Sequence, residues 1–257
     1  MMKFQRISEV IEKQVLYEDN HLIILNKLSS QIIQGDKTGD IPLSELVRVY
    51  LKEKYEKPGD AFISVVHRLD RPVSGVIIFA KTDKAMYRMN SMFQKREIRK
   101  IYWAIVRDKP EQEEAHLINY LKKNEQQNKT YVYDKEIPGS YKAELIYKVL
   151  DSSDSYYLLE IELLTGKHHQ IRSQLASIGC PIKGDVKYGA LRPNRNISIS
   201  LHARSISFIH PIKKEPVTVY APVPDETLWQ HFEKNHSEIN YDISVSKDNH
   251  PIFSKLD

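Results

Sequence analysis

The order of apolar and polar residues in the first third of the chain predicts two paired strands, a helix and a buried strand. Residues 15–27 divide into the strand-like runs VLYE and HLIILNK, which a tight turn joins. Apolar residues at helical spacing predict a helix over residues 42–55, and residues 63–66 are predicted as a short strand. The continuous apolar run at residues 76–80 is typical of a strand that is buried on both faces.

The rest of the chain continues to mix strand and helix patterns. Thr82 and Asp83 predict the start of a helix whose buried stripe contains methionines, which we interpret as core residues. Residues 111–139 are predicted as a long polar excursion that contains a hairpin. Further strands are predicted at residues 101–106, 143–149, 156–164, 205–209 and 217–220. Further helices are predicted over residues 170–178, closed by Gly179, and over residues 226–233.

Many strands with interspersed helices predict a mixed α/β (α+β) fold, in which a mainly antiparallel central sheet is flanked by helices. The chain has 257 residues, which is long enough to bury most of its apolar surface. We predict an N-terminal extension at residues 1–14, one main domain at residues 15–232 and a loose C-terminal tail at residues 233–257.

Composition favours a globular protein of the cytoplasm. Hydrophobic residues make up 41% of the chain and charged residues 28%. No apolar run approaches the length that spans a bilayer, and the first residues do not resemble a secretory signal. The single cysteine, Cys180, cannot form an internal disulfide, which also fits a reducing compartment.

Basic residues are concentrated in the middle of the chain. Residues 163–214 contain nine lysines and arginines but only one acid, Asp185, whereas residues 225–257 contain seven acids and three bases. Such a distribution fits a face that attracts a polyanion such as a nucleic acid. It also fits an unevenly charged solvated surface, and charge alone does not choose between the two interpretations.

One short segment, HRLDRPVSG at residues 67–75, combines charge with turn-forming residues. Arg68 and Arg71 flank Asp70, and a proline and a glycine follow. In an extended chain Arg68 and Asp70 would project to one side while Leu69 packs behind them. This pattern fits a structural Arg–Asp pair in a turn as well as a functional carboxylate.

Common nucleotide-binding and metal-binding motifs are absent from the sequence, including glycine-rich dinucleotide loops, Walker loops, HExxH and CxxC. His168 and His169 are adjacent, and we expect their side chains to point in different directions. A shared metal site is therefore not predicted.

Five segments resemble, in the same order, the motifs of RluA-type pseudouridine synthases. HRLDRPVSGVIIFAKT resembles the signature that contains the family's catalytic aspartate. The family's later motif is similar to LTGKHHQIRSQLASIGCPIKGDVKYGA at residues 164–190. The remaining three matches are VLYEDNHLIILNK, KIYWA at residues 100–104 and LHARSISFIHP from Leu201. The resemblance covers roughly residues 15–230, so the main domain is expected to be the catalytic domain of the pseudouridine synthase fold.

The resemblance also implies roles for individual residues. Asp70 matches the catalytic carboxylate, Tyr102 the tyrosine that stacks on uracil, and Arg172 the arginine that pairs with the aspartate. Arg68 matches the arginine that enters the RNA and fills the space left by the target base. The residues expected to contact RNA are Arg68, Arg71, Lys100, Lys167 and His169.

The implied reaction isomerises uridine within structured RNA. The bond between uracil nitrogen and ribose breaks, the base turns, and a carbon of the base rejoins the sugar. No atoms are gained, so no cofactor is expected. A carboxylate can act in this reaction as a nucleophile or as a general base, and the resemblance does not decide between these roles. The target base must leave the RNA stack. We expect ribosomal RNA as the substrate rather than transfer RNA, a monomeric enzyme, and no membrane partner.

The chain departs from the family pattern at Leu28, Val73 and His168, where the family often has proline, threonine and a small polar residue. The small N-terminal RNA-binding domain of many relatives is expected to be missing. Two alternatives remain open. One is a catalytically inactive RNA-binding or RNA-folding module, and the other is a hydrolase that uses Asp70 and a histidine on a substrate other than RNA.

Overall fold

The computed structural model describes residues 2–35 and 38–236. Within those ranges the helices are α1 (Met2–Glu12), α2 (Leu43–Lys54), α3 (Asp83–Gln94), α4 (Gln170–Ser177) and α5 (Thr227–Asn235). The strands are β1 (Val15–Glu18), β2 (Leu22–Lys27), β3 (Ser64–Val65), β4 (Ser74–Ala80), β5 (Ile98–Val106), β6 (Glu114–Asn124), β7 (Lys129–Tyr133), β8 (Tyr141–Ser152), β9 (Tyr157–Leu163), β10 (Leu201–Ile209) and β11 (Pro216–Tyr220).

The described residues divide into two compact units. Unit 1 contains residues 2–35, 38–98 and 205–222, and unit 2 contains residues 99–204 and 223–236. The strands of both units pair in antiparallel fashion, and the helices pack beside them. The predicted α+β fold with a mainly antiparallel sheet is therefore confirmed.

In unit 1, β2 pairs with β1 on one side and with β4 on the other, and its register places Leu22 opposite Ala80 and Lys27 opposite Gly75. Every residue of β4 is buried, as the continuous apolar run predicts. The predicted hairpin of residues 205–220 is also present, because β11 pairs with the second half of β10. This arrangement places the segment between β3 and β4, which carries Asp70, at one end of the β4 strand.

The helices of unit 1 follow the predicted amphipathic pattern. The Thr82 hydroxyl caps α3 by accepting a hydrogen bond from the N–H of Ala85 at 3.3 Å, and Ala85 and Met89 are fully buried in the core. The methionines of this helix therefore serve packing, as we predicted. The described part of the N-terminal extension forms α1, which packs against α2 and buries Ile11 completely.

Unit 2 contains the strand path β5-β9-β8-β6-β7, in which each neighbouring pair is antiparallel. Alternate residues of β8 are buried, namely Ala143, Leu145 and Tyr147. The predicted excursion at residues 111–139 consists mainly of the β6–β7 hairpin, and α4 packs against both of its strands. Trp229 and Phe232 of α5 join the apolar cluster around Trp103.

The main differences from the predicted elements concern their ends. β5 begins three residues earlier than predicted and β10 four residues earlier. Helix α5 extends to Asn235, into the segment predicted as a loose tail. The remainder of that predicted tail, residues 237–257, lies outside the described residues. In the described part of the chain, no helix has the length and apolar character that crossing a membrane requires.

Candidate active site

Asp70 lies on an irregular loop between β3 and β4 of unit 1. Arg68 is exposed, Leu69 is buried and Asp70 is half-buried, which is the alternation predicted from the sequence. The carbonyl of Asp70 accepts a hydrogen bond from the N–H of Val73 at 3.0 Å and closes a four-residue turn. Asp70 therefore occupies the first position of a defined turn.

The fully buried side chain of Lys27, at the end of β2, holds the backbone of the Asp70 loop. Its Nζ donates hydrogen bonds to the carbonyls of Val73 at 2.6 Å, Arg71 at 3.1 Å and Leu28 at 3.1 Å. The carbonyl of Asp70 is a fourth and longer acceptor at 3.4 Å, so four carbonyls share the three protons of the ammonium group. Burial lowers the pKa of Lys27 to about 7, and the neighbouring Asp70 carboxylate partly opposes that shift.

Two other side chains of this loop make contacts within unit 1. The Nε2 of His67 accepts a hydrogen bond from the N–H of Ile78 at 2.9 Å, so this nitrogen carries no proton. The Nη2 of Arg71 donates to Asp40 at 2.6 Å in a pair whose side chains are 44% and 52% exposed. Arg71 is thus a surface cation, as an RNA contact requires.

In unit 2, Tyr102 lies in the middle of β5 and is 8% exposed. It is opposite Ile161 of β9 in the strand register. Lys100 precedes Tyr102 by two residues on the same strand, so both side chains project to one face of the strand. Lys100 is half-buried.

Arg172, in the first turn of α4, is held by a buried bidentate ion pair. Its Nε donates to Oδ2 of Asp185 at 2.6 Å and its Nη2 donates to Oδ1 at 2.9 Å. The two side chains are only 6% and 1% exposed. The guanidinium carbon also lies 5.1 Å from the ring centroid of Tyr188. A bidentate pair fixes both the position and the plane of a guanidinium group.

Tyr188 is itself held by residues of the β6–β7 hairpin and of the segment before α4. Its hydroxyl accepts a hydrogen bond from the N–H of Thr130 at 2.8 Å and lies 2.9 Å from Nδ1 of His169. Burial raises the pKa of Tyr188, so the hydroxyl keeps its proton near neutral pH and can donate it to the His169 nitrogen. The orientation of the Arg172 plane therefore depends on contacts from three separate segments of unit 2.

A tight loop positions Asp185 for this pair. Gly184 has a φ of +88°, and a Cβ at that residue would lie 2.7 Å from side-chain atoms of Asn194. Asn194 in turn accepts a hydrogen bond from Nζ of Lys183 at 2.7 Å. Only glycine fits this close approach in this backbone conformation.

The two adjacent histidines do not point apart as we expected. Their rings stack with centroids 3.7 Å apart, because His169 has a left-handed backbone with a φ of +51°. His169 is buried, whereas Lys167 is exposed and places its ammonium 4.9 Å from the ring centroid of Tyr141. Residues 2–35 and 38–236 contain no cluster of three or more histidine, cysteine or acidic side chains that could bind a metal ion.

Comparison with known proteins decides the family. The model of the RNA pseudouridylate synthase family matches residues 21–177, which include Asp70, Tyr102 and Arg172. The chain belongs to the RNA pseudouridylate synthase family. The resemblance to RluA-type synthases is thereby confirmed, and so is the prediction that the chain is an isomerase that forms pseudouridine.

Curated relatives of the synthase agree with this family. An uncharacterized RNA pseudouridine synthase of Bacillus subtilis, YhcT, is 31% identical over 85% of this chain and 71% of its own length. Ribosomal large subunit pseudouridine synthase C of Vibrio cholerae is 29% identical over 86% of this chain and 69% of its own. Among solved structures, human RNA Pseudouridylate Synthase Domain Containing 4 has a TM-score of 0.75 at 21% identity, covering 91% of this chain and 96% of its own, which shows a shared fold.

Three residues that shape these sites, Lys27, Asp185 and Tyr188, lie within the segments that resemble family motifs, but the sequence assigned them no role. One signal for Asp185 was present, because it is the single acid in the basic stretch of residues 163–214. Lys27 stands at the end of an apolar strand and of the first matched segment, and neither position indicated that it holds the Asp70 loop. The pairing of Arg172 with Asp70 and the stacking of Tyr102 on uracil stay predictions.

Proposed function

We propose that the synthase converts specific uridines of ribosomal RNA into pseudouridine and that Asp70 is its essential carboxylate. The observation that carries this proposal is the Asp70 turn, in which a buried lysine holds the backbone of a half-buried aspartate through its carbonyls. Preorganised reactive groups lower the reorganisation needed in the transition state. The name of the Vibrio cholerae relative supports the large ribosomal RNA as substrate.

The proposed reaction balances without a cofactor. The bond between N1 of uracil and C1′ of ribose breaks, a bond between C5 and C1′ forms, C5 loses a proton and N1 gains one. Asp70 attacks the sugar, attacks the base or removes a proton, and each role requires its ionised form. Tyr102 is proposed to stack on the uracil and Arg172 to act as the cationic partner of the reaction.

RNA contacts are proposed for the five residues that the family motifs indicate. Arg68, Arg71 and Lys167 are exposed, so their charges can reach phosphate groups. Lys100 is half-buried, and His169 is buried against Tyr188. We therefore propose that His169 contributes mainly by supporting Tyr188.

The proposal includes the organisation predicted from the sequence. Residues 15–232 are proposed as the catalytic domain, preceded by an N-terminal extension and followed by a tail. The enzyme is proposed to act as a monomer in the cytoplasm, where ribosomal RNA is located.

The test is to map pseudouridine in total ribosomal and transfer RNA from cells with and without the gene. We expect one or more ribosomal positions to lose pseudouridine in the deletion strain. A plasmid copy of the wild-type gene should restore them, and a copy with Asp70→Asn should not. Loss confined to transfer RNA would overturn the proposed substrate. Restoration by the Asp70→Asn copy would overturn the role of Asp70, and no loss at all would support an inactive RNA-binding module.

A further inference from the structure

One face of the β6–β7–β8 sheet in unit 2 presents tyrosines and lysines in cross-strand register. Tyr120 of β6 lies directly opposite Tyr133 of β7 and opposite Lys142 of β8. Two residues along β6, Lys122 lies opposite Tyr131. Directly opposite residues of antiparallel strands project to the same side. We call this set of five side chains the tyrosine face.

The opposite side of the same strands is the packed side. It carries Leu121, Ala143 and Leu145, which are 2% exposed or less, and α4 packs against β6 and β7. The tyrosine face, by contrast, leaves Tyr131 and Tyr133 39% and 37% exposed. Ile118, next to Tyr120 in the same alternation, is 46% exposed. Large apolar side chains grouped on an open sheet face mark an interaction surface.

Lysine side chains place positive charges next to the exposed tyrosine rings. Lys122 is exposed and donates to the carbonyl of Pro138 at 2.9 Å. Lys142, whose side chain is 51% exposed, forms an ion pair at 3.1 Å with Glu144, whose side chain is 17% exposed. Lys129 places its ammonium 5.8 Å from the ring centroid of Tyr131. Both Lys122 and Lys142 are exposed, so their ammonium groups can also reach a phosphate group.

We propose that the tyrosine face binds an unpaired segment of the RNA substrate, with bases stacked on Tyr131 and Tyr133 and phosphates held by Lys122 and Lys142. Sheet faces with exposed aromatic rings recognise single-stranded RNA in this way, because every base offers a face for stacking. Duplex RNA keeps its bases stacked inside the helix, so it does not fit these rings. The inference rests on the proposed function for the identity of the partner.

Binding of two RNA probes to the full-length enzyme tests the proposal. The probes are a fluorescent 12-nucleotide oligoadenylate and a blunt 12-base-pair RNA duplex. In the variant Tyr131→Ala/Tyr133→Ala we expect the affinity for the oligoadenylate to fall at least about tenfold, since removing one stacking ring typically weakens binding by roughly fivefold to 100-fold. The affinity for the duplex should stay within about twofold of wild type.

Two variants serve as matched controls. Tyr131→Phe/Tyr133→Phe keeps the rings and should bind oligoadenylate like the wild type, although it loses the hydrogen bond from Tyr131 to Gln127. Tyr87→Ala removes a tyrosine that is 71% exposed on α3 of unit 1 and should also bind like the wild type. Thermal unfolding of each variant verifies that it is folded.

Three results would overturn the proposal: unchanged oligoadenylate binding in the double alanine variant, an equal loss in the double phenylalanine variant, or an equal loss of duplex binding. These binding measurements do not depend on turnover. Failure of the proposed function appears separately, as an unchanged pseudouridine map in the deletion strain.

Discussion

The Asp70 loop of unit 1 and the Arg172 site of unit 2 are held in different ways. The half-buried Asp70 lies on a loop whose backbone is held by the buried Lys27, which donates hydrogen bonds to the carbonyls of Asp70, Arg71 and Val73. Arg172 is buried, and what fixes it is its side chain, through the bidentate pair with Asp185.

The difference follows from the chemistry that each group is proposed to perform. Lys27 supports the Asp70 loop through backbone carbonyls, so this support occupies neither oxygen of the carboxylate. Arg172 is proposed to act only as a cationic partner of the reaction, so two of its nitrogens can stay hydrogen-bonded to Asp185. Mutations of the supporting residues should therefore affect the two sites in distinguishable ways.

The largest effect is expected from breaking the side-chain support of Arg172. Asp185→Asn keeps the shape of the partner but removes the carboxylate charge that pairs with the buried guanidinium group. We expect the free energy of unfolding to fall by about 3–5 kcal/mol, measured by denaturant titration. Pseudouridine formation should fall as well.

A double variant separates charge from packing at the same site. Arg172→Met/Asp185→Leu removes both charges, so it should regain most of the stability lost in Asp185→Asn while remaining inactive. A double variant as unstable as the single one would contradict the view that an uncompensated charge causes the loss.

A smaller, pH-dependent effect is expected from Lys27→Met. Below about pH 7, Lys27 is protonated in both the folded and the unfolded chain, and the folded state carries the full cost of burying the charge. Between about pH 7 and the ordinary pKa of 10.5, the unfolded chain binds a proton that the folded chain has released. The contribution of Lys27 to stability should therefore rise with pH in this window.

Denaturant titrations of the wild type and Lys27→Met at several pH values measure this contribution. The difference in unfolding free energy, wild type minus variant, should increase between pH 7 and pH 9 by at most about 1.4 kcal/mol per pH unit. A difference that is constant or falls with pH would show that the buried lysine keeps its charge.

The smallest effect on stability is expected at the edge of the Asp70 loop. Arg71→Gln removes an exposed pair with Asp40 and should change the free energy of unfolding by less than about 1 kcal/mol. If Arg71 contacts a phosphate, the salt dependence of RNA binding should lose about one unit of slope. Arg48→Gln, at the exposed pair with Glu45 on α2, is the matched control and should leave that slope unchanged.

Local patterns predicted the helices and strands of this fold well, because the order of apolar and polar residues in each element indicates which of its side chains are buried. The apolar run of β4 and the alternation in β8 are examples, and the cap at Thr82 is another. The ends of β5 and β10 were predicted less accurately, because local patterns identify the centre of an element better than its first and last residues.

The supports of the two sites could not be read from local patterns. Lys27 bonds to carbonyls more than forty residues away along the chain, and a lysine after an apolar strand ordinarily indicates the surface. The stacking of His168 on His169 depends on a left-handed backbone at a residue that is not glycine. Family motifs indicated Arg172 directly, but its partner Asp185 became evident only from the tertiary structure.

The most direct test of the central claim uses purified enzyme and ribosomal RNA from the deletion strain. Wild-type enzyme should form pseudouridine at the missing position, detected by mass spectrometry of nuclease fragments. Asp70→Asn should bind the same RNA with similar affinity. It should form pseudouridine about 100-fold to 10,000-fold more slowly, because the carboxylate takes part in the chemical step. Pseudouridine formation by Asp70→Asn at the wild-type rate would contradict the account.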